Sequence, residues 1–512
     1  MKYENPIIRG FNPDPSICRV GDDFYLLTST FEFFPGVPIY HSKNLVNWEL
    51  LGYCLNDEKH NPLKGCRASG GIYAPTLRYH DGLFYMITTN TTGGGNFITY
   101  TDDLLGEWSD PIWIKHQGID PDLFWDDDGT CYYTGTGGDG PEGYGIYTCK
   151  IDPKTGEILS DVTMLTKGGG GVFAEGPHLY KINGTYYLML AEGGTEYGHH
   201  ETIFRAPTVN GPWEACPHNP ILSHRDTMFT PIKCTGHADL VDDVNGNWWI
   251  ISLGIRPLTI NGRGVMLHNL GRETFLSPVV WENGWPVVGE HKDGNHLAVT
   301  DAPLPGDAPT PICRDIYEDF DNDRLNLNFA YIRNPYPEQY KLDAANSKLI
   351  MYGGDKTLSC PDDSPTFIGI RQPEFAMRAS TKLSVNELEV GQYAGITAYY
   401  NDSYHYEMYL TRKEDGYYVC FNRRIHDLEA VTVCHKVDYR DGIDFKIESD
   451  SSYYRFYYKT KGSEYTLLGQ GITAGLCTEG TYSMTFTGTF FGIFAVGASA
   501  EFDYFNVEEI KD

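Results

Sequence analysis

Asp120-Pro121-Asp122-Leu123-Phe124-Trp125-Asp126-Asp127-Asp128-Gly129-Thr130-Cys131-Tyr132-Tyr133 is the stretch that decides the fold. An apolar run enters an acidic turn ending in Asp-Gly, and an aromatic run leaves it. Asp-Gly between two such runs marks a hairpin, because the turn needs residues that tolerate positive φ. A calcium loop would need oxygen ligands at alternate positions and a Glu further on, and Phe124 stands where a preceding ligand would be. The same phrase recurs at Asp14-Pro15-Ser16-Ile17, Ala74-Pro75-Thr76-Leu77, Gly176-Pro177-His178-Leu179 and Gly236-His237-Ala238-Asp239-Leu240, each followed by an aromatic pair. The anchors Ile17, Leu77, Leu123, Leu179 and Leu240 are spaced by 60, 46, 56 and 61 residues. Short strands repeating at this period point to a radial array of sheets. In such an array the first strand of every copy ends near one axis, so distant residues meet there.

A second phrase follows some copies: Asn44-Leu45-Val46-Asn47-Trp48, Asp103-Leu104-Leu105-Gly106-Glu107-Trp108 and Val209-Asn210-Gly211-Pro212-Trp213. Its Trp is expected to pack between neighbouring sheets rather than to bind anything. After Trp285-Pro286-Val287-Val288 the repeats stop. Residues 301–314 hold Pro303, Pro305, Pro309 and Pro311, and form a stiff connector. From 315 to 512 we expect an antiparallel β-sandwich. Tyr406, Met408 and Leu410 alternate there with His405, Glu407 and Tyr409, as in a half-buried strand. The repeats occupy 1–300. The chain is all-β on this reading.

Composition agrees. Of 512 residues, 14% are aromatic, with 37 Tyr and 56 Gly, a mixture suited to strands and tight turns. The net charge of −29, with no basic cluster, argues against nucleic acid and anionic membrane surfaces as partners. Met1 to Pro6 shows no basic segment leading into an apolar run, and no stretch is long enough for a membrane span. Twelve Cys without regular spacing suit reduced, buried thiols. The expected location is cytoplasmic. A homo-oligomer is left open.

Three acids stand just before their anchors: Asp14 and Asp120 by three residues, Glu175 by four. Asp14 and Asp120 each precede Pro, so a plain turn role is the alternative for both. Glu175, in Phe173-Ala174-Glu175-Gly176-Pro177, has no structural task visible in sequence. If the copies superpose, all three carboxyl groups face the axis. Crowded like charges raise at least one pKa, which keeps a general acid protonated near neutrality. Carboxyl groups in separate acid and base roles suit glycoside hydrolysis. A non-catalytic, sugar-binding propeller is the reading from another class.

Asn12-Pro13-Asp14-Pro15-Ser16, Thr30-Phe31-Glu32-Phe33-Phe34-Pro35-Gly36-Val37, Ile119-Asp120-Pro121-Asp122-Leu123-Phe124 and Ala174-Glu175-Gly176-Pro177 resemble the motifs of glycoside hydrolase family 43, nearest its two-domain β-xylosidase and α-L-arabinofuranosidase members. The resemblance spans essentially the whole chain, to Phe502-Asp503-Tyr504-Phe505. It implies a five-bladed β-propeller followed by a β-sandwich that caps the site. It also implies hydrolysis with inversion, with Asp14 as base, Glu175 as acid and Asp120 orienting Glu175. The acid and base carboxyls would then stand roughly 6.5–9.5 Å apart. The implied substrate is a small oligosaccharide, cleaved by an exo-acting enzyme that releases xylose from the non-reducing end. Activity on α-L-arabinofuranosides, or a mainly α-L-arabinofuranosidase role on arabinoxylan fragments, is the alternative. Arg272 resembles the family's sugar-binding Arg, with a solvated surface Arg as the alternative. Phe31 resembles an aromatic subsite wall, and Tyr73 stands where many relatives carry Trp. His237 resembles a His near the axis that lies close to calcium or water in some relatives, so calcium through His237 is a further expectation. The chemistry itself needs no cofactor. Phe486, Phe490 and Phe491 are candidates for a capping loop, with Phe490 taken as the substrate-binding residue.

Overall fold

Strand Ile119–Trp125 turns through 126–129 into strand Cys131–Gly137 in the computed structural model, which describes residues 1–138, 142–227 and 230–511. The turn is closed by the Asp126 amide on Thr130 O and the Gly129 amide on Asp126 O, with Gly129 at φ 82°. The Asp126 carboxylate is engaged by Lys181 (2.6 Å) and Tyr186 (2.7 Å), as a turn residue rather than a calcium ligand.

The repeats form five antiparallel blades. Their innermost strands are Ser16–Val20, Thr76–His80, Ile119–Trp125, Glu175–Ile182 and Lys233–Asp242. Each anchor packs on the preceding blade. Leu77 shares a core cluster with Leu27 and Ile39, Leu123 with Tyr85 and Ile87, Leu179 with Ile146, and Leu240 with Tyr187 and Met189. Ile17 closes the ring on Trp249 and Ile251. Every anchor is at most 4% exposed. Burying such a side chain stabilises by about 1.5–3 kcal/mol, which is why the period is kept. Trp48, Trp108 and Trp213 pack against these inter-blade clusters as expected. The ring is sealed where the Ile7 amide bonds Thr274 O and the Asn12 amide bonds Arg272 O. That seam sets Asp14 beside Arg272.

Beyond the propeller two sheets of eight strands, one of them counting a strand lent by the propeller, face one another across a core of residues such as Ile396, Phe445, Phe491 and Phe502. The five-bladed propeller with a β-sandwich matches the expected class, and no α-helix occurs among the described residues. No described helix is long and apolar enough to cross a membrane. The propeller strand Phe33–Phe34 joins the edge of one sandwich sheet, pairing with Tyr331 and Ile332. Arg333, 1% exposed, donates across the same contact to the Cys66 carbonyl and, within the sandwich, to the carbonyls of Pro361 and Asp363.

Two expectations change. Strand Tyr404–Lys413 is buried on both faces: His405 (0% exposed) pairs with Glu407 (2%) at 3.0 Å. Alternation in sequence cannot reveal that a second layer covers the polar face. Cys420 and Cys434, directly opposed on neighbouring strands, form a disulfide, while the other ten Cys are unpaired.

Candidate active site

In blades 3, 4 and 5 the innermost strand slips by one residue near its start. These slips lie between Ile119 and Asp122, Glu175 and His178, and Gly236 and Asp239, and blade 5 slips once more between Lys233 and Gly236. The residue inside each bulge is left-handed: Asp120 (φ 53°), Gly176 (φ 54°) and His237 (φ 46°). Asp14 (φ 52°) holds the same place in blade 1. Bulges re-aim side chains. A non-glycine residue held in this region costs on the order of 1–3 kcal/mol, so the conformation must be imposed by its surroundings. The uneven spacing of the acids now has a cause. Asp14 and Asp120 are bulge residues, whereas Glu175 is the residue just before a bulge.

A cavity of about 200 Å³ opens at this end of the axis, and Asp14, Asp120, Glu175, Phe31, Tyr73, His237 and Arg272 all line it. Asp14 accepts hydrogen bonds from Ser29 Oγ (2.6 Å) and Arg272 Nη1 (2.8 Å). Burial works to raise its pKa, but Arg272, His237 and the Ser29 bond outweigh it and hold the carboxyl below its ordinary value. Asp120 and Glu175 go the other way. Burial, then repulsion among Glu175, Asp120 and Asp14, raises the pair, so a proton stays on it. Asp120 Oδ2 accepts from the Gly176 amide at 3.2 Å, and Tyr144 donates to Glu175 Oε1 at 2.5 Å.

Arg272 is not a solvated surface residue. It is 5% exposed, lies over the rings of Phe31 and Phe486 (5.6 and 5.5 Å), and donates to Thr195 Oγ1 at 2.8 Å. Tyr73 donates to Ser69 O at 3.2 Å and packs on Phe31 and Phe486. Phe490 does not reach the cavity. It opens strand Phe490–Val496, is 0% exposed, and stacks on Phe33 at 4.1 Å. Phe491, on the opposite face, lies in the sandwich core. Phe486 and Met484, in the preceding loop, are the residues that line the cavity, and the Phe486 amide is fixed by Ser69 Oγ at 2.9 Å.

The groups around His237 do not fit a directly held calcium ion, which takes a cage of oxygen ligands. His237 Nδ1 is 3.8 Å from Asp14, and its other neighbours include His178, Arg272 and the ring of His199. Behind it a guanidinium already spans the centre: Arg78 bonds Asp122 (3.0 Å), Asp239 (2.9 Å) and His178 (2.9 Å) from three other blades. No group of three or more His, Cys, Asp or Glu among the described residues is placed to hold a metal. Burial lowers the His237 pKa to about 4, so its imidazole is neutral near pH 7.

Sequence reasoning missed Phe173, Thr195, His199 and Met484 on the lining, and Tyr144 beside Glu175. Thr195 and His199 sit on a loop outside the repeat phrase. Only the Gly193-Gly194 step marks that loop as special.

Residues 3–286 match the family model described as glycosyl hydrolases family 43. Residues 317–508 match the β-xylosidase C-terminal concanavalin A-like domain. A non-reducing end α-L-arabinofuranosidase of Bacteroides ovatus is 40% identical over 518 residues, covering 98% of this chain and 94% of its own. A xylosidase/arabinosidase of Butyrivibrio fibrisolvens is 35% identical over 528 residues, covering 99% of each chain. The solved structure of Bacteroides ovatus Xyloglucan PUL GH43B superposes with a TM-score of 0.93 at 38% identity, covering 100% of both chains. By its fold, its matched models and these full-length likenesses, the chain belongs to glycosyl hydrolases family 43 and is a glycosidase.

Proposed function

We propose that this glycosidase is exo-acting and inverting, releasing xylose from the non-reducing end of short xylooligosaccharides and also cleaving α-L-arabinofuranosides. The observation that carries the reading is the opposed protonation of carboxyl groups around one cavity. Asp14, kept ionised, takes a proton from water as the water adds to the anomeric carbon. Glu175, whose pKa burial and the nearby Asp14 raise, belongs to the pair that retains a proton and gives that proton to the leaving oxygen. Asp120 accepts from the amide next to Glu175 and so fixes the segment that carries the acid. Arg272, besides holding Asp14 ionised, and neutral His237 are the polar groups offered to sugar hydroxyls, while Phe31 and Tyr73 offer rings to an apolar sugar face. Met484 and Phe486 narrow the cavity from the sandwich side, which supports a single terminal sugar. No step needs a cofactor. A cytoplasmic setting, favoured by ten unpaired Cys, stays part of this reading, with the Cys420–Cys434 bond standing against it.

A mainly α-L-arabinofuranosidase role is the second reading, favoured by the name of the Bacteroides ovatus relative. The test of the first is digestion of xylotriose with the anomers followed by NMR. Xylose and xylobiose are expected, with α-xylose appearing first from the β-linkage. Release of β-xylose would sink inversion, and failure to yield xylose would sink the exo assignment. Comparing kcat/KM on the nitrophenyl xyloside and arabinofuranoside orders the two sugars.

A further inference from the structure

Phe31, Tyr73 and Phe486 form one aromatic wall of the cavity. Their ring centroids stand 5.2 Å (Phe31 to Tyr73), 5.5 Å (Phe31 to Phe486) and 5.8 Å (Tyr73 to Phe486) apart. The three come from unconnected places. Phe31 belongs to blade 1, Tyr73 to the approach to the Thr76–His80 strand of blade 2, and Phe486 to the sandwich loop ahead of Phe490–Val496. Apolar burial is non-directional, so it brings rings together without fixing the segments that carry them. Hydrogen bonds are directional and do fix them.

One residue supplies those bonds. Ser69, 1% exposed, is tied to all three segments. Its Oγ accepts from the Phe486 amide at 2.9 Å. Its carbonyl accepts from the Tyr73 hydroxyl at 3.2 Å. Its amide donates at 2.9 Å to Oε2 of Glu32, the neighbour of Phe31 in the chain. Glu32 is itself 1% exposed, and its carbonyl takes the Arg333 amide at 2.8 Å, so the sandwich is tied in a second time. The chain from Ser69 to Tyr73 is laid against Phe31. The Phe31 amide bonds Ile72 O at 2.9 Å, and the Ile72 amide bonds Phe31 O at 3.1 Å. Gly71 (φ 81°) is required in that stretch, because a Cβ would fall 2.3 Å from Phe31 O. Ser69 is left-handed (φ 57°), a conformation that a serine keeps only when its surroundings impose it.

We infer that Ser69 is a positioning residue for the sugar: by fixing the three segments at one point, it sets the Phe31, Tyr73 and Phe486 wall in its binding geometry before substrate arrives. Ser69 is not one of the residues that line the cavity, and it acts through the rings. The inference rests on the glycosidase reading above and deepens it, naming what keeps the wall preformed across propeller and sandwich. Side chains ordered beforehand spare the complex the cost of ordering them on binding. The wall meets substrate and transition state alike, so its loosening raises KM and leaves kcat in place.

The test compares Ser69→Ala and Ser69→Gly with the wild type on nitrophenyl β-D-xylopyranoside and nitrophenyl α-L-arabinofuranoside. Both variants lose the acceptor for the Phe486 amide. Only Ser69→Gly also relieves the left-handed strain, so it serves if Ser69→Ala folds poorly. KM is expected to rise about three- to tenfold in both, with kcat within about twofold of the wild type. Tm is expected to be higher in Ser69→Gly than in Ser69→Ala, so that the KM effect does not follow stability. Hydrogen exchange of residues 484–489, read without substrate, is expected to quicken in both. An unchanged KM in both variants, a fall in kcat at constant KM, or a KM that rises only in the less stable variant overturns the assignment. A wild type that cleaves neither glycoside overturns the glycosidase reading itself. The exchange then decides alone whether Ser69 fixes the loop, and exchange unchanged from the wild type overturns that as well.

Discussion

Arg272→Gln tests how the proposed base is kept ionised. The Arg272–Asp14 pair is 2.8 Å apart, with side chains 7% and 5% exposed. With an effective dielectric near 20, unit charges about 4 Å apart attract by about 4 kcal/mol. At about 1.4 kcal/mol per pKa unit, that is an upper limit of roughly three units. The Ser29 bond remains in the variant and water will enter, so a rise of about 1–3 units in the Asp14 pKa is expected. Asp14 works as the carboxylate, and in the wild type its depressed pKa keeps it ionised to low pH. The acid limb of kcat/KM against pH should therefore move up by the same amount in Arg272→Gln. Arg272→Lys, which keeps a charge, should move it less. Stability should also fall, by about 3–5 kcal/mol at neutral pH, because a buried carboxylate loses its cation. That loss should shrink as pH falls and Asp14 takes up its proton. The assays are hydrolysis across acidic and neutral pH, and denaturant unfolding. A variant whose plateau drops while its acid limb stays in place would refute the reasoning, and would leave Arg272 a sugar contact only.

Glu175→Ala should lower turnover of xylobiose by about 10²–10⁴-fold while sparing substrates with strongly activated leaving groups, which need no proton. Asp14→Ala should fail on both kinds, and equal losses in the two variants would contradict the division of roles. Gly176→Ala should lose about 1–2 kcal/mol, since a Cβ at φ 54° would meet the His237 ring at 3.1 Å. Its Tm should fall by a few degrees, and an unchanged Tm would refute the strain. Glu32, 1% exposed, has its carboxyl raised to about 7, chiefly by burial. Its folded pKa lies above the unfolded value, so it withdraws stability as pH climbs from the ordinary carboxyl range through 7, by about 3 kcal/mol in all. Glu32→Gln should gain on the wild type across that window, as read by unfolding at each pH, and parallel stability curves would refute it.

What was legible in the sequence is what each blade must do for itself. Leu123 and its counterparts had to be apolar to pack on the blade before, so the period survived and exposed the fold. Asp14, Asp120 and Glu175 were legible because they break an otherwise apolar phrase at nearly one position. What escaped depends on closure of the ring or on a strand boundary. Tyr144 reaches Glu175 from a loop whose approach is fixed only when the blades are assembled. The sequence does not separate Phe490 from Phe486, because nothing in Phe486-Thr487-Gly488-Thr489-Phe490-Phe491 tells where the strand begins. Once it begins at Phe490, period two sends that ring toward Phe33, and the loop residue Phe486 is left to face the cavity. The burial of the polar side of Tyr404–Lys413 is hidden for a related reason, since its second covering layer lies far away in sequence.

Nearly half of the cavity lining comes from two repeat positions. Three residues before the anchors stand Asp14, Ala74, Asp120, Gly176 and His237, and four before stand Pro13, Tyr73, Ile119, Glu175 and Gly236. Seven of these ten line the cavity: Asp14, Tyr73, Ala74, Ile119, Asp120, Glu175 and His237. The strain follows the same map. Asp14, Asp120, Gly176 and His237 are left-handed, whereas Ala74, which carries no polar group, is not. Anchors are constrained to be apolar by packing, while these two positions open into a cavity and are free to differ from blade to blade. A propeller can thus hold its ring constant and still assemble a base, an acid and an aromatic wall from equivalent places. It follows that substitutions at these positions should act first on turnover and pH dependence, and substitutions at Ile17, Leu77, Leu123, Leu179 or Leu240 first on folding. An anchor variant that kept full stability yet lost activity would break that division, and with it the account of how the repeat produces the site.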